Sequence, residues 1–229
     1  MGMFDLTAAT GQKEGGNYLN PGIHVGKFKG VKLGTVTSQQ KGETYNVMEL
    51  AMDLEGYGDY VQRFFEPTSA ERTESSFGPN PSSVEQFTCV VGQILDALDP
   101  EIGKKLSANN VSINGKKVDV SSLDFKKLVK LVEYLTAPYI DTELELKLIP
   151  QQNGFAAVPG FPAKLNKAGV VVIASRFIGH NLVLNQSEQK KVEAAKNAQP
   201  TNMKQAETGS TEGLAEQLGI PEDDSDLPF

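Results

Sequence analysis

Short runs of alternating apolar and polar residues fill the first third of the chain, whereas two later stretches space their apolar residues as a helix does. From Ile23 to Val36, the alternation of Ile23, Val25, Val31 and Leu33 predicts a first strand. Gly26, Gly30 and Gly34 fall inside it and permit the sharp curvature of a small barrel. Between Thr44 and Leu54, Met48, Leu50, Met52 and Leu54 alternate with Val47, Glu49, Ala51 and Asp53, the mark of a strand with one face buried. Gly56-Tyr57-Gly58-Asp59 reads as a turn and Tyr60 to Glu66 as a third strand, so the three are predicted to run as a meander.

Ser82 and Glu85 have capping-box spacing and predict a helix start, after which Val84, Phe87, Val91, Ile94, Leu95 and Leu98 keep helical period until Pro100 ends the run. Val111 to Val120 predicts a short hairpin around Asn114-Gly115. A second amphipathic helix follows from about Leu123 to Leu135, then strands over Thr142–Ile149 and Val170–Ile178 with a long loop between them. Residues 1–20 are polar and Gly-rich and are expected to form a flexible arm. Residues 21–184 suit one domain, and residues 185–229 are predicted to be a disordered tail with at most a short helix near Thr211–Leu218. The fold class is mainly β within α+β. Its element order is that of the five-stranded oligonucleotide/oligosaccharide-binding (OB) Greek-key barrel, here with helical insertions.

Composition agrees with a turn-rich globular body: 39% of the 229 residues are hydrophobic, with 22 Gly and 12 Pro. The single cysteine, Cys89, rules out an intrachain disulfide and predicts a reducing compartment. The opening residues lack the basic start and apolar stretch of a signal peptide, and Leu6 breaks the myristoylation pattern. No run approaches the roughly 18 apolar residues needed to cross a bilayer. A soluble cytoplasmic protein of a bacterium or a phage-infected cell is expected.

Charge is unevenly distributed. The net charge is −7, and Gln205 to Phe229 contains seven acidic residues and no Lys or Arg, so the remainder is neutral. A one-signed block of this kind is an interaction tail. It closes on Glu222-Asp-Asp-Ser-Asp-Leu-Pro-Phe229, where Leu227 and Phe229 are apolar groups in a segment too polar to bury them and Pro228 stiffens the link. This end resembles the C-terminal tip of bacterial and phage single-stranded DNA-binding proteins. Asp223, Asp224 and Asp226 match the acidic positions, Leu227, Pro228 and Phe229 match the apolar tip, and Ser225 interrupts the run. The resemblance implies an OB barrel that binds single-stranded DNA without sequence preference in replication, recombination and repair. It further implies a tip that recruits polymerase, helicase, primase or nuclease partners, and a possible homo-oligomer. The length of the chain and its second helix depart from the compact bacterial form.

Binding unpaired strands requires cations along a groove and flat rings for stacking. Lys27 and Lys29 share a face of strand one, with Lys32 nearby; Arg63 and Phe65 share one face of strand three, with Tyr60 and Phe64 on the other. Tyr45 points outward if the Met48/Leu50/Met52/Leu54 face is the inner one. The loop from Gln151 to Gly169 adds Phe155, Phe161, Lys164 and Lys167, with Arg176 and Arg72 as secondary candidates. Catalysis is not expected, because His24 and His180 are the only histidines and no metal-ligand spacing, phosphate loop or nucleophile elbow is present. No cofactor is expected. The competing expectation is an adaptor, for example in phage assembly, that binds protein partners through its tail and no nucleic acid.

Overall fold

The computed structural model describes residues 19–38, 41–76, 78–113, 115–151 and 155–206. Most of the expected arm and the tip residues Asp223, Asp224, Asp226, Leu227, Pro228 and Phe229 lie outside that set.

Strands β1 (Gly22–Thr37), β2 (Thr44–Leu54) and β3 (Gly58–Phe65) form the expected antiparallel meander. The long β1 serves two ladders, because Gly22–Lys27 pair with a later strand while Gly26–Thr37 pair with β2. At Gly26, where the ladders overlap, a Cβ would sit 2.7 Å from the Asp53 carbonyl oxygen, so only glycine fits. A bulge between Phe28 and Gly30 then shifts the register, with Gly30 at φ +124°. The bulge also reverses parity. Phe28 and Val31 are both buried, whereas Ile23 and Val25, expected on the same face as Val31, lie on the opposite one.

Between β3 and the first helix lies a small hairpin of β4 (Thr73–Ser75) and β5 (Gly78–Asn80). Helix α1 (Ser83–Leu98) begins at the predicted capping box, with the Glu85 N–H donating to Ser82 Oγ at 3.1 Å and the Ser82 N–H to Glu85 Oε2 at 2.8 Å. Pro100 does more than stop α1. It opens a second helix, α2 (Pro100–Ser107), whose N-cap Asp99 accepts from the Glu101 N–H at 2.9 Å. Proline is well suited to a first helical position, and the sequence pattern read only its breaking role. The expected hairpin is β6 (Val111–Ile113) with β7 (Lys116–Val118), and the expected second amphipathic helix is α3 (Phe125–Thr136).

Strand β8 (Glu143–Pro150) returns beside β1, and β12 (Ile178–Gly179) lies outside β8, giving the antiparallel order β12-β8-β1-β2-β3, with β9 (Ala156–Ala157) attached to β8. The expected fifth strand over Val170–Ile178 is broken in two. Its first part, β11 (Val171–Ile173), pairs with β10 (Ala163–Leu165), and only Ile178–Gly179 reaches β8. Gln93 of α1 stands at the break: buried, it donates to the Ser175 carbonyl and accepts from the Phe177 N–H, while Gln86 holds the N–H and the carbonyl of Ala163 on β10. The sheet is not closed, since among the described residues no ladder joins β3 to β12. Rings meet across that gap instead, with the Phe64 and Phe177 centroids 5.7 Å apart.

A single buried cluster unites the inner face of the sheet with α1 and α3. Phe28, Leu50, Met52, Leu144 and Leu146 meet Phe87, Ile94, Leu95, Val129 and Val132. Full burial of each such side chain contributes about 1.5–3 kcal/mol. The architecture is therefore mixed α+β dominated by an antiparallel sheet.

Helix α4 (Gln186–Ala206) occupies part of the segment expected to be disordered. Asn185 and Glu188 cap it reciprocally, each backbone N–H bonding the other side chain at 2.9 Å. Glu188 also meets Lys147 of β8 at 3.0 Å, with both side chains buried, and Ser175 bonds both. Burial raises the Glu188 pKa, yet the bonds from Ser175, the Asn185 N–H and Lys147 together outweigh it and hold the carboxyl below its ordinary range. Lys147 lies opposite Ile23 on the outer face of the sheet, so α4 docks on β8 there. Removing one member of a buried pair costs about 3–5 kcal/mol, and this is the loss expected in urea melts of Glu188→Gln, with most of it recovered in Lys147→Met/Glu188→Leu. Because the folded carboxyl is depressed, its stabilisation is present above the ordinary Glu range and lost as pH falls through the folded value. Protection of the 186–192 amides from hydrogen exchange should fall with it.

Candidate nucleic-acid interface

Pairing registers decide which side chains share the open half of the outer face. The inner residues of β2 are Met48, Leu50, Met52 and Leu54, all buried, so Tyr45, Val47, Glu49, Ala51 and Asp53 face outward. On β3 the partners of the outward residues are Phe65 for Val47, Arg63 for Glu49, Val61 for Ala51 and Asp59 for Asp53. On β1 they are Gly34, Lys32, Gly30 and Lys27 in the same order. The bulge in β1 is what turns Lys32 outward; in unbroken alternation from Phe28 it would point into the core.

Aromatic groups gather at one end of this face. Tyr45 and Phe65 contact edge to face with centroids 6.2 Å apart, and they are 37% and 56% exposed. Val47, between them, is buried. The Tyr45 hydroxyl donates to Glu43. One row further along, Arg63 Nε donates to Glu49 Oε1 at 2.8 Å, while Lys32 is exposed on the other flank of Glu49. A Cβ at Gly34 would lie 2.9 Å from Glu49 Cδ, so the carboxylate rests over bare backbone. Val61, 45% exposed, extends the apolar surface beyond this charged row.

Acidic groups gather at the other end. Lys29 donates to Asp141 at 2.7 Å and lies 4.0 Å from Asp53, and the Asp141 hydrogen bond raises its pKa. Lys27 is flanked across its two ladders by Asp53 and Glu143. The two lysines share the predicted face, but they sit among carboxylates and away from the rings. Tyr60 is on the inner side, its hydroxyl bonded to Gln62 at 2.7 Å and burial pushing its pKa well up, so it offers no ring for stacking.

A second group is carried by the segment between β8 and β12. Phe155 is half-exposed and Phe161 is 79% exposed, and Lys164, Lys167 and Arg176 are exposed. This segment is anchored to α1 by Gln86 and Gln93, and it reaches the Phe65 end of β3 through the Phe64–Phe177 contact. Arg72 is committed elsewhere, since it grips Glu85 through Nε and Nη2 and donates to the Gly169 carbonyl at 3.0 Å. Parity alone does not say which side of β3 joins Tyr45, and the ladder assigns Arg63 and Phe65. The pairing of Glu49 with Arg63 and the place of Val61 beside them depend on the same register.

Chemically, the face offers stacking surfaces and a few cations in a largely compensated field. Among the described residues no group of three or more His, Cys, Asp or Glu side chains is placed to hold a metal ion. Among the same residues no helix is long and apolar enough to cross a membrane. No family model matches the chain, and no curated protein matches it.

Gly34→Ala should force Glu49 off the strand and release Arg63. The Arg63 side-chain Nε–H resonance is expected to shift toward that of a free guanidinium, with the backbone spectrum outside β1 and β2 unchanged. An unmoved resonance would show that the glycine does not hold the pair in place.

Proposed function

We propose that this chain binds single-stranded DNA without sequence preference on the β2–β3 face and addresses replication, recombination and repair proteins through Asp223, Asp224, Asp226, Leu227, Pro228 and Phe229. The observation that carries the reading is the exposed Tyr45–Phe65 pair beside Lys32 and Arg63. Stacking contributes about 1–3 kcal/mol per base and is indifferent to base identity, because every base has a π-face. Two rings on the sheet, with Phe155 and Phe161 on the long loop, supply useful affinity without base readout.

An OB barrel is the finer reading of the fold. In its favour, the fourth long strand returns beside the first, the 4-1-2-3 order of a Greek key, and β12 adds a fifth strand outside it. OB barrels are partly open, and their ligands lie on strands two and three and on the loops joining strands one to two and four to five. The ring contact between Phe64 and Phe177 bridges the place where such a barrel would close.

Electrostatics set a modest salt dependence. Lys32, Arg63, Lys164, Lys167 and Arg176 allow about three to five neutralised phosphates, a slope of log affinity on log salt of about −2 to −3.5 for single strands. Arg63 must exchange Glu49 for a phosphate, which keeps the slope toward the smaller value. The acidic segment continues from α4, which is docked on the same outer face. Deleting about its last ten residues should therefore tighten DNA binding modestly by removing competing charge. Phe229→Ala should spare DNA binding and abolish partner binding.

Fluorescence anisotropy of a labelled oligo-dT, with duplex DNA and RNA as competitors, tests the reading. Tyr45→Ala and Phe65→Ala should each weaken binding about five- to 150-fold, the equivalent of about 1–3 kcal/mol. Lys29→Ala and Tyr60→Phe should change it little. Absence of binding to the single strand would leave the tail-borne adaptor as the better account. Binding that survives loss of both rings would refute this face as the site.

A further inference from the structure

A groove of about 380 Å³ runs between α1 and β11, on the helical side of the core and across the sheet from the Tyr45–Phe65 face. Val84, Cys89 and Gly92 of α1 wall one side and Val171–Ile173 the other. Val84 and Ile173 are 39% and 47% exposed, as is much of Val170. A Cβ added at Gly92 would meet nothing within 4 Å, so this glycine opens onto the groove.

The backbone beside the groove is unpaired as well. In the β10–β11 hairpin the Ala174 N–H bonds the Pro162 carbonyl and the Asn166 N–H bonds the Val170 carbonyl. Bonded pairs alternate along an antiparallel ladder, so Lys164 and Val172 bond each other while Val171 and Ile173 turn their N–H and C=O groups to the outer edge. The matching outward groups of Ala163, on the other strand, are taken by Gln86. Among the described residues nothing takes those of Val171 and Ile173. Soluble proteins guard exposed edges with charge, proline or bulges, yet Gly169 to Ser175 contains no charged residue and no proline.

Charge selects among occupants. The groove lining includes two carboxylates, Glu85 and Asp96, and no cation. Arg72 already holds Glu85, so Asp96, whose field also reaches the Glu101-paired Lys104, is the carboxylate left at the far end. The chain's own acidic segment, with seven carboxylates and no base, is repelled there.

We propose that β11 and α1 form a strand-addition groove that takes an extended segment of another protein, apolar at alternate positions and carrying a Lys or Arg where it passes Asp96. Main-chain bonds to Val171 and Ile173 supply affinity in this mode, and the pocket against Gly92 supplies selectivity. The groove acts independently of DNA binding.

The test titrates the full-length protein with a fluorescein-labelled peptide of alternating Val and Thr flanked by Lys, and with the same peptide flanked by Glu. The Lys peptide should bind about tenfold more tightly than the Glu peptide, Asp96→Asn should erase that preference, and oligo-dT affinity should not change. Gly92→Leu fills an open position on a helix surface, so it should abolish peptide binding with no loss of Tm. Failure of the Lys peptide to bind, or binding unaffected by Gly92→Leu, overturns the proposal. Sedimentation equilibrium supplies a further arm: self-association abolished by Gly92→Leu would make a second copy the occupant, and that too overturns it.

Discussion

Strand β1 hydrogen-bonds to β8 over its first part and to β2 over its last, and what it presents on the outer face follows from how one strand serves both ladders. The overlap lies at Gly26, where a side chain would run into the Asp53 carbonyl. Just beyond it, the bulge at Phe28/Gly30 reverses the alternation, so that Phe28 and Val31 both enter the core and Lys32 turns out. Without that reversal the cation would be buried and the row Lys32–Glu49–Arg63 would lack its first member. A local backbone irregularity thus positions a candidate ligand group, at little cost to the core.

The outer face is divided by its neighbours. Over β8 it is covered by α4, which the buried Lys147–Glu188 pair ties down. Over β2 and β3 it stays open, with rings at one end and a compensated cluster of Lys27, Lys29, Asp53, Asp141 and Glu143 at the other. In the proposed function, a neutral body with few uncompensated cations would favour stacking over charge as the source of affinity, and the one-signed segment beyond α4 would compete mainly for the few cations that remain.

Periodicity made β2, β3, α1 and α3 legible, because each has one apolar face and a marked start or turn. The buried even-numbered residues of β2 lie where alternation put them, and the Ser82/Glu85 box caps α1 as its spacing implied. What was not legible has three physical causes. A bulge changes parity without leaving a mark on composition, which concealed that Ile23 and Val25 face away from Val31. Gln93 of α1 takes the Ser175 carbonyl and the Phe177 N–H, so a run of Val and Ile that reads as one strand is two. Among its described side chains, helix α4 buries one valine, Val192, and makes one buried ion pair, too little apolar surface to register as amphipathic. Its Asn185-x-x-Glu188 cap was the signal available.

For the candidate site, the sequence named side chains that the structure places both on and off one open face. Tyr45, Arg63, Phe65 and Lys32 share one open face, whereas Tyr60 is inward and Lys29 is paired, distinctions that depend on register and on partners remote in sequence. Ultraviolet cross-linking of a photoreactive oligo-dT to the full-length protein, with the adducts located by mass spectrometry, addresses the central claim directly. Adducts at Tyr45 and Phe65, with Tyr60 unmodified, are the predicted result; adducts confined to residues off the β2–β3 face would contradict it.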